Sequence, residues 1–321
     1  MAGAAIPSFL LRRRPGNCCA HPPFPTPCAF HVPACARLPS MIGRKGESMG
    51  STSLRSVVAA ALDHLPARQR TAVYDLLRKV VPSTREVVAA RHLRGDGIEI
   101  GAMHYPLKVP AGARVRYVDK VSADVSLGRF SEIRHLQLVR PDFVEDGFRL
   151  PSFASASVDF LIANHVLEHT NDVLGTLDRW AEVIAPGGVL FLSVPLAERC
   201  FDRGRPITPV DHFVSDRDQL RAGDVSAFRN ATRQHYAEWL SVSLPAVVAE
   251  QRGDVGPENT RALGMTADEL LAEDAEIHFH TFSLASYEQL LRHFCAACRP
   301  DFKLVELVEN GIEAIAVLKR D

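Results

Sequence analysis

The sequence predicts an α/β fold, a doubly wound, mostly parallel sheet of seven strands with an antiparallel last strand and a helical insertion. Three observations predict it. From Gly95 onward, short apolar runs alternate with amphipathic stretches, the rhythm of strand–helix–strand units around a parallel sheet. Two early runs close on acids, at Glu99-Ile100-Gly101 and at Val118-Asp119, and open α/β sheets bind ligands outside the carboxyl ends of their strands. Residues 171–184 carry a helical apolar face that Pro186-Gly187-Gly188 interrupts before a further apolar run, marking a helix, a stop and a strand.

Taken in order, residues 1–48 stand apart. Eight of the 21 prolines fall before Ser40 and no acid precedes Glu47. That composition removes backbone donors and offers no core-forming pattern. It reads as a disordered leader, with a transit peptide or an upstream start before Met41 or Met49 as alternatives. Residues 49–94 form an expected helical cap over the entrance of the core domain. Leu54, Val57, Val58, Ala61, Leu62 and Leu65 recur at three- and four-residue steps, and Tyr74 to Val81 continue the pattern up to Pro82.

The expected main domain spans 95–321. Its strands are 97–101, 115–119, 142–144, 158–163 and 189–194, with helices at 122–136 and 171–184. Only about a dozen residues separate the first two strands, and Pro106 and Pro110 interrupt them, so the first crossover helix is short or absent. An insertion follows at 196–282, with a helix expected at 228–240. The chain then returns to a helix at 283–295 and to strands at 303–308 and 314–319. Asn310-Gly311 between the last two favours a tight reversal, hence antiparallel neighbours.

Bulk properties bound the function. Lys+Arg of 37 against Asp+Glu of 38 gives a formal charge of −1, with no overall pull toward nucleic acid or a membrane surface. No apolar run reaches the roughly 18 residues a membrane helix needs. Seven cysteines, four of them in the leader, read as reduced thiols in a cytoplasmic protein. Cys295 and Cys298 have the spacing of a ligand pair but no second pair nearby.

The candidate site sits at the strand ends. A carboxylate at Asp119 offers two acceptor oxygens to a pair of ribose hydroxyls. Asp146, after the third strand, can accept from an adenine amino group. Glu99 stands in an apolar strand, where an acid is costly to bury without a partner. Residues 164–169, Asn164-His165-Val166-Leu167-Glu168-His169, follow the fourth strand and bring two histidines four apart.

With these blocks the chain resembles class I S-adenosylmethionine-dependent methyltransferases over about Gly97 to Pro195. Glu99-Ile100-Gly101 is similar to the start of that family's glycine-rich motif, Asp119 to its ribose acid and Asp146 to its adenine-contacting acid. Ser157-Val158-Asp159-Phe160, Val166-Leu167-Glu168-His169 and Ala185-Pro186-Gly187-Gly188-Val189-Leu190 resemble the later motifs in order and spacing. A further likeness, in E-I-G-A, A-N-H-V-L-E-H and T-P-x-x-H-F, is to a bacterial subgroup linked to surface-glycan biosynthesis. The resemblance implies S-adenosyl-L-methionine as cofactor, bound by Glu99, Gly101, Ala102, Asp119, Asp146, Asn164 and His165. The sequence departs from the family in having Gly101 alone where G-x-G-x-G is usual.

The acceptor implied is a small molecule or glycan with a hydroxyl, amine or carboxylate. A histidine is the natural base near neutral pH, and His212, His169 and His165 are the candidates. His212 follows the fifth strand, where an acceptor would lie. His278 and His280 alternate as on a strand, which places both imidazoles on one side. A metal site from them with Asp211 or His212 is the alternative to the reading adopted, which assigns no metal. Arg203, Arg205, Arg221 and His235 are candidates for an anionic sugar or phosphate, or else form a solvated basic face. A non-catalytic adenosine-binding module and an NAD-dependent oxidoreductase are the rival functions. The second would need a fuller glycine fingerprint. The oligomeric state has no signal in the sequence.

Overall fold

The computed structural model describes residues 82–129, 137–250 and 257–321. The expected leader and most of the helical cap, through Val81, lie outside these residues, as does the end of the helix expected at 122–136.

The first described element is α1 (Thr84–His92). Ser83 starts it with a reciprocal capping box, accepting from the Glu86 N–H while the Glu86 carboxylate accepts from Ser83. Val88, Ala89 and Leu93 pack on Phe160, Ile162, Phe191, Ile315 and Val317. The described part of the cap therefore covers one face of the sheet, and only its first turn reaches the ligand side, through Arg85.

The sheet comprises β1 (Asp96–Ile100), β2 (Arg114–Asp119), β3 (Phe143–Val144), β4 (Val158–Asn164), β5 (Ile184–Pro195), β6 (Phe302–Asn310) and β7 (Glu313–Arg320). Its order is β3-β2-β1-β4-β5-β7-β6. The first five strands run parallel, and β7 is antiparallel to both β5 and β6. This is the predicted seven-stranded architecture. Strand order reverses between β1 and β4, which opens the ligand crevice at their carboxyl ends.

Period-two alternation assigns each strand residue a face. In β4, Leu161 and Ala163 join the core beneath α3 (Val173–Val183) and α9 (Leu284–His293), while Phe160 and Ile162 join the core beneath α1. Strand β7 divides likewise, Ala314, Ala316 and Leu318 against Ile315 and Val317. Burial on both faces explains why these strands read as continuous apolar runs.

Helix α3 ends at Val183, and Ile184 already pairs with Val158. The register then jumps so that Phe160 meets Val189. Residues 185–188 form the bulge between, with Gly187 at φ +80°. The sequence-based start of β5 at Val189 marks where regular pairing resumes. Residues 101–113 hold no helix, as the short spacing predicts. The β6–β7 reversal is Gly311-Ile312, with Gly311 at φ +62°.

The insertion is helical. It holds α4 (Val210–Ala222), α5 (Val225–Glu238), a π-helical turn at Trp239–Ser243, α6 (Leu244–Glu250), α7 (Pro257–Ala262) and α8 (Ala267–Ala272). Tyr236, Trp239, Leu244, Leu270, Ile277 and Phe279 give it a core of its own. Helix α5 begins three residues before the predicted position because Asp224 caps it by accepting from the Ala227 N–H at 2.9 Å. Among the described residues, no helix is long and apolar enough to cross a membrane. The remaining short helix α2 (Ala123–Arg129) follows β2.

Candidate active site

A cavity of 1390 Å³ opens along the carboxyl ends of β1, β2 and β4. Glu99, Gly101, Ala102, Asp119, Asp146, Asn164, His165 and His169 all line it. Residues from four separate stretches of the chain are thus brought together. The insertion supplies Phe201, Glu276, His278 and Phe279 to the opposing wall.

Backbone geometry prepares the strand ends. Gly101 has φ +66°, and its N–H donates to the Val118 carbonyl at 3.0 Å. A side chain there would meet Val166 at 3.3 Å as well as adopting an unfavourable φ. One glycine suffices to turn the chain out of β1 at this point. His165 also has a left-handed backbone, φ +56°, at the end of β4, and its N–H donates to the Ser193 carbonyl. A non-glycine residue held there by its surroundings is a recurrent feature of ligand sites.

Glu99 is 2% exposed. Both its oxygens accept from the Leu107 N–H at 3.0 Å, and Asn164 donates to it at 3.5 Å. Burial outweighs these bonds and pushes its carboxyl up to about 7. The Asp119 carboxyl is raised too, by burial, against donation from the Val121 and Lys120 N–H groups. Asp146 accepts from the Phe148 N–H at 2.9 Å, the side-chain turn its Asp-Gly sequence allows. It is the most open of the three acids.

The other half of the cavity rests on a buried polar chain. Glu313, at the start of β7, accepts from His165 Nε2 at 2.9 Å, from Arg85 Nε and from Asn310. Those partners hold its carboxyl down to about 2 despite burial. Glu168 is fully buried, 3.8 Å from His165 Nδ1 and 3.9 Å from His278 Nε2, and burial raises its carboxyl. His278 Nδ1 lies 2.6 Å from Asp202, which also accepts from Arg205 and Ser243. Two arginines, four carboxyl and imidazole links and one hydroxyl therefore tie α1, β7, the turn after β4 and the insertion together.

His169 donates from Nδ1 to the Ile277 carbonyl at 3.1 Å. That bond fixes the tautomer and leaves the lone pair on Nε2. Burial, then the neighbouring His278, lower its basicity well below the ordinary imidazole range. The ring is therefore neutral at physiological pH.

His212 is not among the residues lining the cavity. It sits on α4, with Nε2 2.9 Å from His235 Nε2 and 3.2 Å from Asp216. The placement beside an acceptor assumed that the chain stays near the strand ends after β5. Instead Leu196 pairs with Phe282, Pro209 starts a helix, and His212 turns toward α5. The expectation that His278 and His280 share one side also fails. The segment is not a regular strand; His278 faces the cavity and His280 packs against Phe213, His212 and His235. Arg205 is 5% exposed and donates to Asp202 and to the carbonyls of His278 and Phe279, so it braces the wall rather than forming part of a basic face.

Glu313, Arg85, Asp202 and Glu168 were missed as site residues. Glu313 carried the same signal as Glu99, an acid in an otherwise apolar strand. Arg85 and Asp202 carried none, because only tertiary packing gives them buried partners.

A family model described as a methyltransferase domain matches residues 110–294. No curated protein matches the chain. Similar solved structures include the CurJ carbon methyltransferase, 14% identical, covering 82% of this chain and 58% of that one with a TM-score of 0.35. The chain thus spans less than two thirds of that protein. A SAM-dependent methyltransferase from Aquifex aeolicus is 11% identical, covering 71% and 82%, with a TM-score of 0.34. A SAM-dependent methyltransferase from Thermotoga maritima, a possible histamine N-methyltransferase, is 12% identical, covering 79% and 97%, with a TM-score of 0.36. At these scores the likenesses carry no weight for activity.

Proposed function

The chain belongs to the methyltransferase-domain family, and from that premise we propose that it is an S-adenosylmethionine-dependent enzyme that methylates a hydroxyl, amine or carboxylate of a small molecule or glycan. The observation that carries this reading is the meeting of the strand-end acids and the histidines 165 and 169 in one cavity. Glu99 would face the ammonium of the cofactor's methionine end, Asp119 its ribose and Asp146 its adenine. Gly101, Ala102, Asn164 and His165 would complete the wall around it.

The bound cofactor supplies an electrophilic methyl group on a sulfonium. This chain's own residues must orient the acceptor in line with that methyl and, for a hydroxyl or amine, take up its proton. Orientation alone contributes several kcal/mol in such displacements. His169 is the proposed proton acceptor: burial weakens it as a base but keeps the ring unprotonated, and the bond from Nδ1 to the Ile277 carbonyl makes Nε2 the accepting nitrogen. His165, held by Glu313, is the proposed positioning residue. His169→Ala is expected to lower methyl transfer about 10²-fold, the usual scale for a lost acid–base group, and to leave S-adenosylhomocysteine affinity within a few-fold. The assay is radiolabelled methyl transfer to acceptors found by screening glycans and nucleotide sugars. Turnover that survives His169→Ala would exclude it as the base.

Glu99 supplies a pH signature. Its carboxyl, near 7 in the free protein, must ionise to pair with a cationic ammonium, so binding should release a proton. Affinity for S-adenosylhomocysteine should then weaken as pH falls below about 7, by up to about tenfold per pH unit. Glu99→Gln should bind more weakly at pH 8 and lose most of that dependence. Calorimetry in buffers of different ionisation enthalpy reads the proton release directly.

A further inference from the structure

Outside the cavity, four side chains converge that the proposed reaction does not use. His212 and Asp216 stand one helical turn apart on α4, His235 is on α5, and His280 is on the segment before α9. One ligand-type atom from each lies within 4.8 Å of every other. His212 Nε2 is 2.9 Å from His235 Nε2 and 3.2 Å from Asp216 Oδ2. None of the four lines the cavity.

Hydrogen bonding alone leaves this group poorly satisfied. His280 is 1% exposed and neither of its ring nitrogens has a hydrogen bond of normal geometry; the polar neighbour it does have is the Asn171 backbone. His235 is 6% exposed and its Nδ1 has no partner. The His212–His235 contact can share one proton at most. A buried donor or acceptor without a partner is destabilising. Phe213 and Phe279 pack beside the rings, so the surroundings are apolar. The edge of a tetrahedron around zinc with bonds of about 2.05 Å is about 3.3 Å, close to the two measured separations.

We infer that His212, Asp216, His235 and His280 form a structural binding site for a zinc-type divalent cation. Three imidazole nitrogens and one carboxylate oxygen complete a four-coordinate shell with no open position, the mark of a structural rather than a catalytic site. The ion would join α4 and α5 to the segment of His280. That segment also carries His278, and the Phe279 N–H donates to the Glu168 carbonyl at 2.8 Å. The site would therefore hold the insertion against the turn that bears His169. The four positions spread over two helices and a distant loop, so no familiar ligand spacing marks them.

The test uses the full chain, purified without a histidine tag and dialysed against metal-free buffer. Elemental analysis should find about one zinc per chain. Chelator treatment should lower the melting temperature, and added zinc should restore it. His235→Gln and Asp216→Asn should lose the metal. Because buried changes can impair folding, His212→Gln, at the most exposed ligand, should also lower stoichiometry and abolish the zinc-dependent shift while circular dichroism stays native. His293→Gln, outside the cluster, should bind as the wild type does. Cobalt in place of zinc should give the intense visible bands of tetrahedral coordination. The proposal is overturned if the chain neither carries zinc nor is stabilised by it, or if folded His212→Gln and Asp216→Asn bind it unchanged. It is equally overturned if His278→Gln, rather than these, abolishes binding, since the metal would then belong to the cavity cluster of Glu168, His169 and His278.

Discussion

Glu313→Ala is expected to destabilise the folded chain by about 3 kcal/mol, enough to remove a large part of a domain's net stability. Glu313 is 4% exposed and collects Arg85, His165 and Asn310. Truncation leaves the Arg85 guanidinium, itself largely buried, without its counter-charge. Removing one partner of a buried pair costs more than the pair contributes, because the other charge stays desolvated. The pH dependence has a definite sign. The carboxyl is depressed from 4.5 to about 2 on folding, so its contribution is complete above about pH 4.5 and is lost as pH falls toward 2. Urea unfolding of wild type and Glu313→Ala should therefore differ most near neutral pH and converge below pH 3. A constant difference across that range would mean that the carboxylate's charge is not what Glu313 contributes.

Much of the sheet was legible because its signals are local. The runs of β4 and β5 are apolar on both faces, the Asn310-Gly311 turn closes the last hairpin, and Asp172 caps α3 by accepting from the Gly175 N–H. Boundaries moved where tertiary pairing intervened. Ile184 looked like the last residue of a helical face, yet it pairs with Val158 and belongs to β5. Glu99, Asp119 and Asn164 could be placed because strand ends in a parallel sheet share one edge. His212 could not, since its position depends on the path of 13 intervening residues from Leu196 to Thr208, whose turns are set by Asp202, Arg205 and the Phe282 bridge rather than by periodicity. The buried chain from Arg85 to Arg205 was invisible for the same reason. Each member is an ordinary polar residue in sequence and acquires its partner only across distances of up to 228 positions.

The edge formed by β1, β2 and β4 is proposed to bind the adenosyl group of the cofactor, with Asp119 as the ribose acid. Asp119 ends β2 beside Gly101, is half-buried and has the Lys120 and Val121 backbone N–H groups beside its carboxylate, which favours a defined carboxylate position at the strand end. A fixed acceptor offers two charge-assisted hydrogen bonds to a ribose diol with little ordering cost. Titration calorimetry with S-adenosylhomocysteine on wild type and Asp119→Ala tests this most directly. One site per chain in the wild type, weakened by about 2–4 kcal/mol in Asp119→Ala with a native circular dichroism spectrum, is the result predicted from the loss of two such bonds. No binding by the wild type, or equal affinity in the two proteins, would contradict it.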